Sequence, residues 1–117
     1  MSENVVLDKS HAFALRIVRL YKHLCNEKNE FVLSKQVLLA GTYIGAHVKA
    51  AEDAESRQSF INELAIALKK ASETEYWLQL LFESDYLEEK AFNSVVTDCQ
   101  EIMRLLTAIV KSSKANG

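Results

Sequence analysis

The sequence predicts an all-α protein: an antiparallel up-down-up-down four-helix bundle that forms one domain over residues 1–117. Proline is absent and only three glycines occur, so the turn residues that strands require are scarce. Apolar residues recur at helical spacing in four separate segments. The polar stretches between these segments are short, which makes consecutive helices antiparallel neighbours. A three-helix arrangement with one long bent helix stays open, because residues 52–56 contain no strong helix breaker.

The first two segments each carry one apolar stripe. The stripe of the first helix contains Val6, Phe13, Ile17, Leu20 and Leu24. The stripe of the second contains Leu33, Val37, Ala40, Gly41, Ile44, Val48 and Ala51. We expect Asn29 to cap the second helix. Gly41 and Gly45 lie on neighbouring turns, and their lack of a side chain allows another helix to approach closely.

The third and fourth segments repeat the pattern. The stripe of the third helix contains Phe60, Ile61, Leu64, Leu68, Ala71, Leu78 and Phe82. The stripe of the fourth contains Phe92, Val95, Cys99, Ile102, Leu106 and Ile109. Ser56 is the expected N-cap of the third helix, and the spacing of Asp85 and Glu88 matches a capping box before the fourth.

Composition argues against several function classes. A net charge of -2 and a pI near 5.9 give no global attraction to nucleic acid or to anionic membranes. The two cysteines and three histidines match no metal-ligand or nucleophile motif. We therefore expect no catalytic residues, no cofactor and no metal, and hence no enzyme. The start MSENVV lacks a secretory signal, and no apolar run reaches the ~20 residues of a membrane span, so we expect a cytoplasmic protein.

Two features of the third helix do not suit a simple monomer. Counted at about 100° per residue, Glu75 falls near the centre of the apolar stripe. We therefore expect Glu75 to be buried and bonded to Thr42, Tyr43 or His47 of the second helix. A second apolar set lies roughly opposite the stripe, which predicts a homo-oligomer. The expected interface residues are Leu39, Ile66, Glu73, Trp77 and Leu80.

Two runs carry a resemblance to a known family. LSKQVLLAGTYIGAHV (residues 33–48) and IALKKASETEYWLQLL (residues 66–81) resemble the four-helix-bundle proteins encoded in intervening sequences of bacterial large-subunit ribosomal RNA genes. The resemblance implies ring-shaped homo-oligomers, pentamers where known, and no established enzyme activity. A related branch contains accessory proteins of diversity-generating retroelements, which associate with nucleic acid and a reverse transcriptase. The family commonly has polar residues where this chain has Leu39 and Ala50.

We therefore predict a non-enzymatic, self-assembling interaction or scaffold protein that acts through copies of itself. The alternative is an RNA- or DNA-binding accessory protein acting as a homo-oligomeric ring, possibly with a reverse transcriptase. Its expected nucleic-acid contacts are Arg16, Arg19 and Lys22, which helical spacing places in one outward sector of the first helix. A ring would repeat these three charges, so that weak contacts could add up through multivalency.

Overall fold

Four helices make up the fold in the computed structural model, which describes residues 4–116. They are α1 (Val5–Lys28), α2 (Leu33–Glu52), α3 (Arg57–Glu83) and α4 (Glu89–Ala115). Each helix packs against the next along the chain, and α1 and α4 close the bundle with the least extensive contact. The bundle measures 46 × 23 × 20 Å. The predicted up-down-up-down bundle is confirmed, including the break between α2 and α3.

Most buried positions of α2 and α3 are spaced three or four residues apart. On α2 the buried residues are Ser34, Val37, Ala40, Gly41, Ile44, Val48 and Ala51. On α3 they are Ile61, Leu64, Ala67, Ala71, Thr74, Leu78 and Leu81. Apart from Ala40 and Ile61, the spacing alternates between three and four residues and averages about 3.5 residues per turn, the repeat that keeps a seam facing its neighbours along a supercoiled bundle. The long helices therefore pack as heptads, and most of the predicted apolar stripes lie in the core.

Three hydroxyl groups occupy fully buried seam positions without losing hydrogen bonds. The hydroxyl of Ser10 donates to the carbonyl of Leu7 at 3.1 Å. Thr74 donates in the same way to the carbonyl of Lys70 at 2.7 Å. Ser34 likewise donates to the carbonyl of Glu30. Because each hydroxyl is satisfied by a backbone carbonyl three or four residues earlier in the chain, it can replace an apolar side chain in the seam.

Helices α1 and α2 approach each other closely at Gly41, as the glycine predicts. A Cβ atom added to Gly41 would lie 2.8 Å from Cγ1 and 3.0 Å from Cγ2 of Ile17, which is fully buried. At Gly45 the added atom would meet the carbonyl oxygen of Ser10 at 3.5 Å, an ordinary contact. Only Gly41 is therefore required for the helix separation.

The start of α2 is capped by Glu30 and not by Asn29, so the prediction for Asn29 is wrong. Asn29 adopts the left-handed conformation (φ 55°) at the end of α1. The buried Glu30 carboxylate accepts hydrogen bonds from the amides of Val32 (3.2 Å), Leu33 (2.9 Å) and Ser34 (2.6 Å). Burial acts to raise the pKa of this carboxyl, but these bonds outweigh it and hold the pKa below the ordinary value of 4.5.

The other two predicted caps have opposite outcomes. Ser56 caps α3 as predicted, with its hydroxyl accepting from the amide of Ser59 at 3.1 Å. The capping box from Asp85 to Glu88 does not form. Asp85 instead takes a left-handed conformation (φ 70°) that ends α3. Its amide donates to Phe82 at 3.1 Å and that of Tyr86 to Leu81 at 2.8 Å, which is the Schellman arrangement of a helix C-terminus.

We predict that Gly41→Ala destabilises the protein and that Gly45→Ala does not. The first change forces the β-branched Ile17 out of a packed position, which costs ~1–3 kcal/mol. The second removes the conformational freedom of glycine and adds up to ~1 kcal/mol of stability. Urea unfolding at one protein concentration measures both. Equal effects of the two substitutions would contradict the close approach at Gly41.

We predict that Glu30→Gln lowers stability by ~1 kcal/mol at neutral pH, because an amide oxygen cannot accept from all three backbone N–H groups. The folded-state pKa of Glu30 lies below its unfolded value, so its contribution is complete above the unfolded pKa and is lost as pH falls through the folded one. The difference in unfolding free energy between wild type and variant should therefore shrink below about pH 4.5. A difference that does not change between pH 7 and pH 3 would contradict this role.

Candidate functional site

The outermost stripes of α2 and α4 differ in chemistry. Positions seven residues apart keep the same orientation in a heptad-packed helix. On the outside of α2 this spacing gives Leu39 and Ala46, with Val32 directly before the helix, and Val32 and Leu39 are 71% and 39% exposed. The corresponding exposed positions of α4 are Lys90, Thr97, Arg104 and Lys111. One side of the bundle thus presents apolar side chains to its surroundings, and the opposite side presents mostly cations.

Exposed apolar side chains continue from α2 onto α3. We define the α2–α3 surface as the following six residues: Leu39, Tyr43, His47, Ile66, Lys70 and Glu73. Tyr43 is 44% exposed and Ile66 is 39% exposed. The Lys70 ammonium lies 5.8 Å from the centre of the Tyr43 ring and 3.3 Å from the Glu73 carboxylate. The charges of this surface are paired within it, so its apolar side chains dominate what a partner would meet.

The sequence predicts five residues at an oligomer interface. Ile66, Glu73 and Leu80 are seven residues apart and share one stripe of α3, as expected from the heptad. Glu73 and Leu80 are partly buried there. Leu39 lies on the adjoining side of α2. The structure therefore brings four of the five residues to one side of the molecule.

Trp77 differs from this expectation. Its side chain is partly buried and packs against the hydrophobic core of its own bundle. Counting about 100° per residue from Leu64 had placed Trp77 opposite the core. At 3.5 residues per turn, the direction of a side chain differs by about 20° in every seven residues from the direction that the 100° count gives. This difference places Trp77 on the flank of α3 that faces α2. Tyr76 beside it is the more exposed aromatic, and the two rings meet edge to face at 5.0 Å.

Glu75 is not buried, so the prediction of a core carboxylate is wrong. The same difference in angle places Glu75 on the flank of α3 that faces α4. Thr74, whose hydroxyl is hydrogen-bonded to the carbonyl of Lys70, lies in the core instead. The Glu75 carboxylate is partly exposed and accepts from the side-chain amide of Gln100 at 2.8 Å. The expected partners on α2 bond elsewhere: His47 Nδ1 lies 2.8 Å from Glu63, and Thr42 donates to Leu38.

The buried Cys99 is held in its neutral form. Its thiol donates to the carbonyl of Ala71 at 3.3 Å. Burial, with the neighbouring charges of Glu75 and Asp98, raises the pKa of Cys99 to about 12. The thiolate needed for nucleophilic chemistry is therefore not formed at neutral pH. The interpretation of this cysteine as a small core residue is confirmed.

The three cations proposed for nucleic-acid contact do not share one outward sector. Arg16 faces α4, where its guanidinium lies 2.7 Å from Asp98 Oδ2 and 2.6 Å from Ser94 Oγ. Arg19 is exposed beside it and lines an open groove between α1 and α4. Lys22 is exposed outside this groove. The three side chains are distributed from the flank of α1 that faces α4 to the outer side of α1. They therefore do not form the single cationic patch that the sequence predicts.

The α1–α4 groove has a volume of about 920 Å³ and mixed charge. Arg16, Arg19 and Lys28 lie along it with His23, and Asp85, Glu88 and Glu89 lie on the opposite wall. Leu20, Phe82, Tyr86 and Leu87 contribute apolar surface. With His23 neutral, the three cations and three carboxylates balance. The groove as a whole thus provides no net attraction for a phosphate backbone.

A second groove, of about 620 Å³, runs between α1 and α2. We define this α1–α2 groove by its ten lining residues: Leu7, Asp8, His11, Ala12, Ala14, Leu15, Thr42, Gly45, Ala46 and Lys49. Four of them are alanine or glycine, so the walls stand back from the groove axis. Leu15 is 47% exposed on its rim. The groove is mainly apolar, and it adjoins the outermost stripe of α2 through Ala46.

Residues 4–116 contain no group of three or more His, Cys, Asp or Glu side chains that could hold a metal ion. Across the same range, no helix has the length and apolarity that a bilayer crossing requires. The features of the described chain that remain are the two grooves and the α2–α3 surface, which are suited to contacts with another molecule.

Comparison with known proteins agrees with the fold. Residues 2–108 match the family described as 23S rRNA-intervening sequence protein. A crystal structure from Bacteroides thetaiotaomicron, of a protein with unknown function from the S23 ribosomal protein family, superimposes with a TM-score of 0.91. The two sequences are 55% identical, and the match covers 92% of this chain and 99% of that one. No curated protein matches the chain.

We predict that Trp77→Ala destabilises the bundle by ~1–3 kcal/mol and that Tyr76→Ala changes stability by less than ~0.5 kcal/mol. The first change removes a side chain packed on the core, whereas the second removes one that is mostly in solvent. Thermal and urea unfolding of both variants at matched concentration make the comparison. A larger loss for Tyr76→Ala would show that Trp77 does not support the core.

Proposed function

The chain belongs to the 23S rRNA-intervening sequence protein family, and the similar crystal structure is of a protein with unknown function. We therefore infer the role of this chain from the chemistry of its surfaces. We propose a non-enzymatic protein that assembles with copies of itself and acts as an interaction or scaffold module. The observation that carries this proposal is the apolar outer side of α2, continued by Tyr43 and Ile66 of the α2–α3 surface. Monomers rarely leave a contiguous apolar patch in water.

The charges around this patch favour a second copy of the chain as its partner. Lys70 is paired with Glu73, and His47 is bonded to Glu63. Two copies can therefore approach through this side without bringing unpaired like charges together. Closed symmetry allows every copy to bury the same patch.

The chemistry of the described residues supports a role without catalysis. The imidazole of His47 and the carboxylate of Glu63 satisfy one another at 2.8 Å. Cys99 is buried and protonated. General acid-base or nucleophilic catalysis requires a titrating group aimed at a pocket, with a second group placed to assist it. Among the described residues, no hydrogen bond joins His23 to a carboxylate of the α1–α4 groove or His11 to Asp8 in the α1–α2 groove, and both grooves present extended contact surface.

We predict that the wild-type protein has a solution mass several times 13.2 kDa and that Leu39→Glu lowers it. A carboxylate in a desolvated contact is strongly unfavourable, but on an exposed helix position it leaves the fold intact. Gel filtration with light scattering gives the mass, and circular dichroism checks that helix content is unchanged.

Thr97→Glu is the matched control, because it introduces the same charge on the exposed outer stripe of α4. Its mass should equal that of the wild type. A wild-type monomer at high micromolar concentration would overturn the proposal. An equal loss of mass in both variants would show that the contact does not involve the apolar side of α2.

A further inference from the structure

We propose that the α1–α4 groove binds an amphipathic helix of a different protein, with acidic side chains along one edge of its apolar stripe and basic side chains along the other. This inference rests on the proposed role as an interaction module and names the chemistry of a partner other than a copy of the chain. It commits the groove to one occupant, which would lie between α1 and α4 as an additional helix.

The groove begins where the ion pairs between α1 and α4 end. The Lys9 ammonium lies 3.2 Å from the Glu101 carboxylate, and the Arg16 guanidinium lies 2.7 Å from the Asp98 carboxylate. In the part of the chain that the structure describes, no other ion pair joins these two helices. Beyond Arg16, toward the end of α1, the groove of about 920 Å³ separates them. This end of the bundle therefore has room for the side chains of another helix.

The floor of the groove is apolar. Leu20, Phe82 and Tyr86 line it and are partly buried against the hydrophobic core. The Phe82 ring stacks on the buried ring of Phe92, with centroids 4.5 Å apart, so the position of this part of the floor is fixed by packing. Covering these side chains removes further apolar surface from water, which favours association with the apolar stripe of a helix.

The walls of the groove carry opposite charges that are not neutralised within it. Arg19 and Lys28 lie on the α1 wall, and Asp85, Glu88 and Glu89 lie on the opposite wall. All five residues are exposed, and none of them forms an ion pair with another described residue. The charges of the α2–α3 surface, by contrast, are paired. A partner with carboxylates facing the α1 wall and cations facing the other wall would pair with both.

The backbone of the two walls determines which conformation of a partner fits. Helices satisfy their N–H and C=O groups internally, so α1 and α4 offer no edge to which an extended segment could hydrogen-bond. A helical partner satisfies its own backbone groups and contacts the groove through side chains alone. The groove extends along α1 from Arg16 to Lys28, or about 18 Å at the helical rise per residue. A partner helix of roughly 12 residues matches this length.

The test uses a fluorescently labelled synthetic peptide of two heptads as the probe. This first peptide has leucine at the two seam positions of each heptad, glutamate along one edge, lysine along the other and alanine elsewhere. Fluorescence anisotropy measures its affinity for the full-length protein at physiological salt. We expect saturable binding with a Kd below about 1 mM.

Two variants of the protein test whether the peptide lies in the groove. Arg19→Glu should weaken binding by about fivefold or more, because an attraction to the glutamates of the peptide becomes a repulsion. Lys22→Glu is the matched control, since it makes the same change of charge at an exposed position of α1 outside the groove. Its Kd should stay within about twofold of the wild-type value. Circular dichroism verifies that both variants are folded.

A second peptide, with lysine along both edges, reverses the expected order. It should bind Arg19→Glu more tightly than Lys22→Glu, although the two variants have the same net charge. Equal affinities of the two variants for each peptide would overturn the inference, as would a wild type that does not bind the first peptide at about 1 mM. Self-assembly is measured separately by light scattering without peptide. A monomeric wild type that binds the first peptide in the groove would overturn self-assembly and support the present inference.

Discussion

Each helix contributes a seam of buried side chains, spaced mostly three and four residues apart, and this seam determines much of the rest of the structure. The repeat of 3.5 residues keeps one stripe of a 27-residue helix such as α3 facing the core from end to end. Some of the buried positions in this seam are occupied by glycine, serine or threonine, whose small side chains allow a neighbouring helix to pack closely. The contact of Gly41 with Ile17 sets the separation of α1 and α2, and through it the shape of the groove above Gly45.

The helix ends are held by polar groups that act locally. Glu30 binds three amides at the start of α2 and replaces the cap that Asn29 would have supplied. Asp85 ends α3 through its left-handed backbone, which frees α4 to begin at Glu89. These arrangements fix where each helix starts. Since each helix is continuous over 20 to 27 residues, its ends also determine which side chains meet halfway along the bundle.

The heptad also orders the outside of the molecule. Because positions seven apart stay aligned, the exterior divides into stripes, and their chemistry differs between α2 and α4. The apolar side of α2 and the α2–α3 surface are the basis of the proposed self-assembly. The balanced charges of the α1–α4 groove and the pairing of Arg16 with Asp98 give less support to nucleic-acid binding at that site. The exposed lysines and arginines of the described surface are spread over all four helices, with four on α1 and four on α4.

The sequence by itself determined the four helices, their approximate ends and most of the core. Apolar periodicity is a local property, and an error of a few degrees in the angle assumed per residue does not change which segments are helical. The sequence also identified the close approach at Gly41 and the cap at Ser56, which depend on single side chains. The positions of Glu75 and Trp77 were decided by the tertiary structure. The two residues lie on opposite flanks of α3, and a change from 3.6 to 3.5 residues per turn, accumulated along the helix, rotates both out of their expected directions. Supercoiling arises only when helices pack together, so its effect on these flanks could not be obtained from one helix considered alone.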